Sequence, residues 1–187
     1  GALSPRQQQA MMEGMNTLER AVDVILVDTC HDHVQGFSPW GLAAGETVMV
    51  VSGSGSSITD SYALIKKVSL SFARRHFRIL VNRVKTPEDG QIIFNNLRKV
   101  AAQRGIAQLE YGGAVPLDDS LRHVAQLFQP LVATLPDAPA AIALRNFSAD
   151  MLYWPSAEYE NGGVEQGAGS CLILRWAVLA ALPLGMA

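Results

Sequence analysis

Asp28 ends the apolar run Ile25-Leu26-Val27-Asp28-Thr29. In open parallel sheets, functional groups gather at the carboxyl ends of strands. An acid there can hold Mg²⁺ directly or through water in phosphate-hydrolysing folds; the alternative is an aspartate that caps the following loop. Asn82 and Pro116 also follow apolar runs, in Leu80-Val81-Asn82-Arg83-Val84 and Gly113-Ala114-Val115-Pro116-Leu117-Asp118. An Asn amide both donates and accepts, which suits a purine edge. A Pro-containing loop offers a rigid wall with free carbonyls. The plain alternative for both is an ordinary loop residue.

Three other groupings carry weaker chemistry. Ser52-Gly53-Ser54-Gly55-Ser56-Ser57 can present backbone N–H groups to a phosphate. It lacks both the spaced glycines of a dinucleotide loop and the lysine of GxxxxGK[ST], so a flexible loop with Ser57 or Thr59 capping the next helix is favoured. Cys30-His31-Asp32-His33 places four ligand types in a row, but adjacent side chains do not all converge on one ion, so a surface loop is the expectation and no metal is assigned. Lys66, Lys67, Arg74, Arg75, His76, Arg78, Arg83 and Lys85 form a basic stretch, read as a solvated surface ahead of a nucleic-acid patch.

These residues need a scaffold. The 187 residues suffice for one domain with a full core, and 49% hydrophobic against 17% charged is globular and somewhat apolar. A net charge of -2 gives no overall pull toward nucleic acid. The two cysteines, Cys30 and Cys171, fit no CxxC pattern, so a disulfide framework is not expected and a reducing cytoplasm is the default. No secretory signal is visible in residues 1–20.

Ser4-Pro5 reads as an N-cap and first helical position, opening a helix to about Arg20. Four apolar runs read as strands: 22–27, 47–51, 77–81, and 108–111 leading to 114–115. The first three are nearly continuous in aliphatic residues, as in strands covered on both faces. The fourth is more polar and suits an edge. Helical spacing fills the intervals at 58–72, 88–103 and from 121, and again at 138–150. Strands alternating with helices predict an α/β fold: three layers, a mostly parallel sheet, and helices on both faces. Residues 1–155 read as the domain, 156–170 as a linker, and 171–187 as an apolar tail.

Taken in order, these segments resemble the flagellar-number regulator (FlhG/FleN) branch of MinD/ParA-type P-loop ATPases. The similarity rests on Leu3-Ser4-Pro5-Arg6-Gln7-Gln8 before Val24-Ile25-Leu26-Val27-Asp28-Thr29, and on Ser57-Ile58-Thr59-Asp60-Ser61-Tyr62-Ala63-Leu64-Ile65-Lys66 above all. Leu80-Val81-Asn82-Arg83-Val84, Pro87-Glu88-Asp89-Gly90 and Gly113-Ala114-Val115-Pro116-Leu117-Asp118 continue it over residues 3–150. The resemblance implies that Asp28 is a switch II aspartate organising Mg²⁺ and water. It implies that Asn82 reads adenine, that Pro116, Leu117 and Asp118 line the base, and that Asp60, Tyr62 and Lys66 face a partner. It also implies ATP/ADP and Mg²⁺ as cofactors, self-association, and peripheral contact with the inner membrane. The implied partners are a flagellar transcription activator or the flagellar-assembly GTPase.

The chain departs from that family in two places. The family's P-loop strand and lysines would lie before Leu3, so the fold is read as incomplete at its N-terminus and ATP hydrolysis by this chain is not expected. Cys30-His31-Asp32-His33 replaces the small residues and Gly that usually follow Asp-Thr. In the family the P-loop strand lies centrally beside the switch II strand. Without it an exposed edge would remain, so the tail, Cys171 to Leu179, is expected to fill that place or pack on another chain. The whole apolar segment, Cys171 to Ala187, has 17 residues and is short for a membrane-spanning helix. A non-catalytic partner-binding scaffold, or a ParA-like DNA-associated protein, is the alternative to a regulatory ATPase; nucleic acid ranks last.

Overall fold

The computed structural model describes residues 4–16, 24–30, 45–53, 55–126, 129–154 and 175–181. The elements run α1 (Pro5–Asn16), β1 (Val24–Cys30), β2 (Glu46–Ser52), α2 (Gly55–Phe72), β3 (His76–Val84), α3 (Pro87–Gln103), β4 (Gln108–Pro116), α4 (Asp119–Gln126), α5 (Leu131–Thr134), α6 (Pro139–Met151) and β5 (Arg175–Ala181). The expected three-layer α/β fold is present. Five strands lie in the order β1-β5-β2-β3-β4, and every pairing is parallel.

Strand β3 shows why the sheet reads as an unbroken apolar run. Phe77, Ile79 and Val81 pack with Met49 and Val51 of β2 against Ile65 and Val68 of α2 and Phe94, Leu97 and Ala101 of α3. Leu80 faces the other way, with Val48, against Val124 of α4, Leu131 of α5 and Ala140, Phe147 and Met151 of α6. Successive side chains of a strand point to opposite faces, so a strand covered twice has no polar side to show. The weaker fourth run is the edge strand β4.

Helix boundaries follow their caps. Ser4 Oγ accepts from Gln7 N–H at 3.4 Å while Gln7 Oε1 accepts from Ser4 N–H at 2.9 Å, and Pro5 takes the first helical position. α1 ends at Asn16, and residues 17–23 lie outside the described set. Thr86 and Asp89 form a reciprocal capping box at α3, with Pro87 first in the helix. α2 begins at Gly55, so Ser57 and Thr59 are inside the helix, not its cap: the helix reaches back through the serine-rich segment. α2 stops where Ala73 takes a left-handed conformation, φ 54°.

The central slot between β1 and β2 is taken by β5. Val24 to Cys30 pair with Arg175 to Ala181, and Glu46 to Val50 pair with Ala177 to Ala181. Residues 175–181 of the tail therefore fill the place expected for a missing central strand. Residues 155–174, which include the expected linker, lie outside the described set. Among the described residues no helix is long and apolar enough to cross a membrane.

Candidate functional site at the strand ends

The carboxyl ends of β2, β3 and β4 converge at one level of the sheet. Ser52 is paired with Asn82 and Asn82 with Val115, while Val84 is paired with Pro116. The register shifts between Asn82 and Val84, so Arg83 is the extra residue of a bulge. Arg83 has φ 60°, a left-handed conformation that costs a non-glycine residue about 1 kcal/mol or more. Two backbone bonds hold the bulge from either side. Gly53 N–H donates to Asn82 O at 3.2 Å, and Leu117 N–H donates to Val84 O at 2.8 Å.

Asn82 is half-buried, and its Oδ1 accepts from Arg83 N–H at 2.9 Å. That bond commits the oxygen to the backbone and leaves the Nδ2 donors without a partner among the described residues. Beside it, Pro116 is half-buried and Leu117 is 57% exposed, an uncommon position for a leucine and an apolar wall of the kind a planar ring can lie against. An amide N–H donor suits recognition of a heteroaromatic ring acceptor.

Asp118 has a different task. Its Oδ1 accepts from Ser120 N–H at 2.9 Å, and its Oδ2 from Ala140 N–H at 3.1 Å. The carboxylate thus ties the loop after β4 to the starts of α4 and α6. Hydrogen bonding from the Ala140 backbone, opposed by some desolvation and reinforced by Ser120, holds its pKa below the ordinary aspartate value. With both oxygens engaged, Asp118 shapes the loop that presents Pro116 and Leu117.

The structure does not bring Asp28 to this site. β1 runs on to Cys30, so Asp28 is inside the strand. It is level with Leu179, Val48 and Arg78, four residues short of the level of Asn82, and β5 and β2 stand between β1 and β3. Strand spacing and rise put the two backbones on the order of 20 Å apart. The Cys30-His31-Asp32-His33 run falls largely outside the described residues, and among those described no cluster of three or more metal-ligating side chains occurs.

Asp60, Tyr62 and Lys66 lie on α2, the helix that follows the carboxyl end of β2. Asp60 and Lys66 are exposed, whereas Tyr62 is half-buried and packs on the core. The basic stretch is also divided. Arg78 is spent on a polar knot at the amino end of the sheet, donating to Glu46 Oε2 from Nε at 3.0 Å and to Glu110 Oε2 from Nη1 at 2.7 Å. Its guanidinium lies 4.6 Å from the Trp154 ring centroid, and His76 Nε2 is 3.0 Å from Glu110 Oε1. Lys66, Lys67, Arg75, Arg83 and Lys85 remain on the surface.

Sequence reasoning missed Arg83, whose left-handed bulge no motif announces. It also missed the structural use of Asp118, although Asp118-Asp119-Ser120 carries the residue types of a side-chain-capped turn.

A parallel α/β sheet covered on both faces, with an Asn and a Pro-Leu-Asp loop meeting at adjacent strand ends, is a P-loop NTPase-like arrangement, as the MinD/ParA resemblance leads one to expect. In sequence the chain is similar to the antiactivator FleN of Pseudomonas aeruginosa strain PAO1, 29% identical over 163 residues that cover 87% of this chain. The matched segment spans 58% of FleN. That likeness agrees with the resemblance read from the sequence. No family model matches the chain.

Proposed function

We propose that this chain is a MinD/ParA-type regulator of flagellar number, placement and biosynthesis that acts on a flagellar transcription activator. The similarity to FleN over 87% of the chain carries the reading. A second candidate partner is the GTPase of flagellar assembly, with exposed Asp60 and Lys66 on α2 as contact residues. Self-association and peripheral contact with the inner membrane from the cytoplasm belong to the same proposal.

The residues fit ATP or ADP unequally. What supports a base half is the Asn82 Nδ2 donors with Pro116 and exposed Leu117 at the next strand end. The phosphate half is not assembled among the described residues. Gly53 N–H is spent on Asn82 O, and Asp28 stands inside β1, separated by two strands from the Asn82 strand end. Positioning and charge stabilisation supply most phosphoryl-transfer catalysis. A polypeptide of these 187 residues is accordingly proposed not to hydrolyse ATP.

One observation favours a second reading, a non-catalytic partner-binding scaffold. The central slot of the sheet holds Arg175-Trp176-Ala177-Val178-Leu179-Ala180-Ala181, which has neither glycine nor lysine to offer a phosphate.

Titration calorimetry with ATP and ADP in Mg²⁺ separates the two. It is done on this chain and on a version carrying the segment encoded upstream of it. Binding by the extended version alone makes this chain part of a nucleotide-dependent regulator. Binding by neither leaves the scaffold, and Mg²⁺-dependent ATP turnover by the 187-residue chain above a matched blank overturns the non-hydrolysis proposal.

A further inference from the structure

We infer that Arg83 is a positioning residue: its left-handed bulge locks the Asn82 amide so that its N–H donors, and not its oxygen, are left for a ligand. The inference deepens the nucleotide reading above and rests on it for the ligand, but the lock itself is a property of the chain alone.

A bulky, non-glycine residue at φ 60° is disfavoured, and the surrounding structure must over-determine it for it to persist. Here three bonds do so. Gly53 N–H fixes the carbonyl before the bulge and Leu117 N–H the carbonyl after it, while the Arg83 N–H itself is taken by Asn82 Oδ1. The bulge thus aims one backbone donor at the side chain of the residue before it. An isolated Asn amide can flip and present either end. With its oxygen tethered at 2.9 Å, Asn82 keeps its Nδ2 donors for a ligand.

The chemistry follows from that orientation. An N–H donor is matched to an acceptor such as a heteroaromatic ring nitrogen or carbonyl. Asp118 accepts one hydrogen bond on each oxygen, from Ser120 and Ala140, so one lone pair on each is already used.

The test uses the 187-residue chain labelled with ¹⁵N. The Asn82 side-chain amide signals are followed together with the Arg83 backbone amide, and adenosine and guanosine are the probes. Arg83→Gly, which adopts positive φ freely, should keep the Asn82 signals and adenosine affinity of the unsubstituted chain. Arg83→Val, β-branched and poorly suited to positive φ, should shift the Asn82 signals and weaken adenosine about tenfold, the worth of one hydrogen bond. Should Arg83→Val not fold, Asn82→Ala provides the second arm: loss of the acceptor should make the Arg83 amide exchange faster with solvent while Lys85 is unchanged. Asn82 signals unmoved in folded Arg83→Val, or unchanged Arg83 exchange in Asn82→Ala, overturns the lock. Absence of adenosine and guanosine binding to every version, with the signals behaving as expected, refutes the nucleotide reading and leaves the lock standing.

Discussion

Replacing Asp118 by Asn tests whether that residue ties the fold or reads a ligand. The substitution keeps one carbonyl oxygen and sets an NH₂ donor against a backbone N–H that now points at an oxygen, either that of Ser120 at 2.9 Å or of Ala140 at 3.1 Å. Charge-assisted hydrogen bonds contribute about 1.5–3 kcal/mol each, and partial exposure brings the loss of one down to about 1–2 kcal/mol. For a chain of this size that lowers Tm by roughly 2–8 °C. The pH dependence has a definite sign. The folded pKa is depressed below the ordinary 3.8, so the stabilisation is fully present above the unfolded value and is lost as pH falls through the folded one. Urea unfolding of both versions at pH 7, 5 and 3, without nucleotide, should show a constant stability gap at pH 7 and 5 that narrows at pH 3. Equal midpoints at pH 7, or a gap unchanged at pH 3, would refute the assignment of Asp118 as a structural tie.

Gly90→Ala should cost about 1–3 kcal/mol in the same urea assay, because the added Cβ would sit 2.7 Å from Ala114 Cβ and 3.2 Å from the Tyr111 hydroxyl, where α3 lies directly on β4. Thr47→Val should raise stability by about 1 kcal/mol. The Thr47 hydroxyl is buried without a hydrogen-bond partner among the described residues, and a methyl of similar size removes that penalty; a fall in the urea midpoint would show that the hydroxyl is paired.

The parts of this fold legible in the sequence are those set by local period. The unbroken runs in β2 and β3 announce strands covered on both faces, and Thr86-Pro87 with Asp89 announces the start of α3. The polar character of Gln108-Leu109-Glu110 placed β4 at an edge, and its pairing on one side alone is the physical reason. What escaped was set by contacts between distant segments. Ser57 reads as a cap, but α2 extends back to Gly55. Arg83 has no sequence mark of a positive φ, because its conformation is imposed by Gly53 and Leu117, 30 and 34 positions away. Of the site, the Asn82 and Pro116 positions could be read because both follow apolar runs. The partners of Asp118 could not, since Ala140 is met only once α6 has packed.

The seating of β5 between β1 and β2 has a consequence for synthesis. Among the described strands β1 has no partner except β5, and that pairing has to wait for residues 175–181. At bacterial-like elongation rates of about 5–20 residues per second, that wait is roughly 10–30 s. Meanwhile β2, β3 and β4, which are joined through α2 and α3 by short crossovers, can assemble with one unprotected apolar border. The nascent chain is therefore most exposed to chaperones and to its own neighbours on the polysome late in translation, and a ribosome stalled before residue 175 would hold a sheet with its centre open.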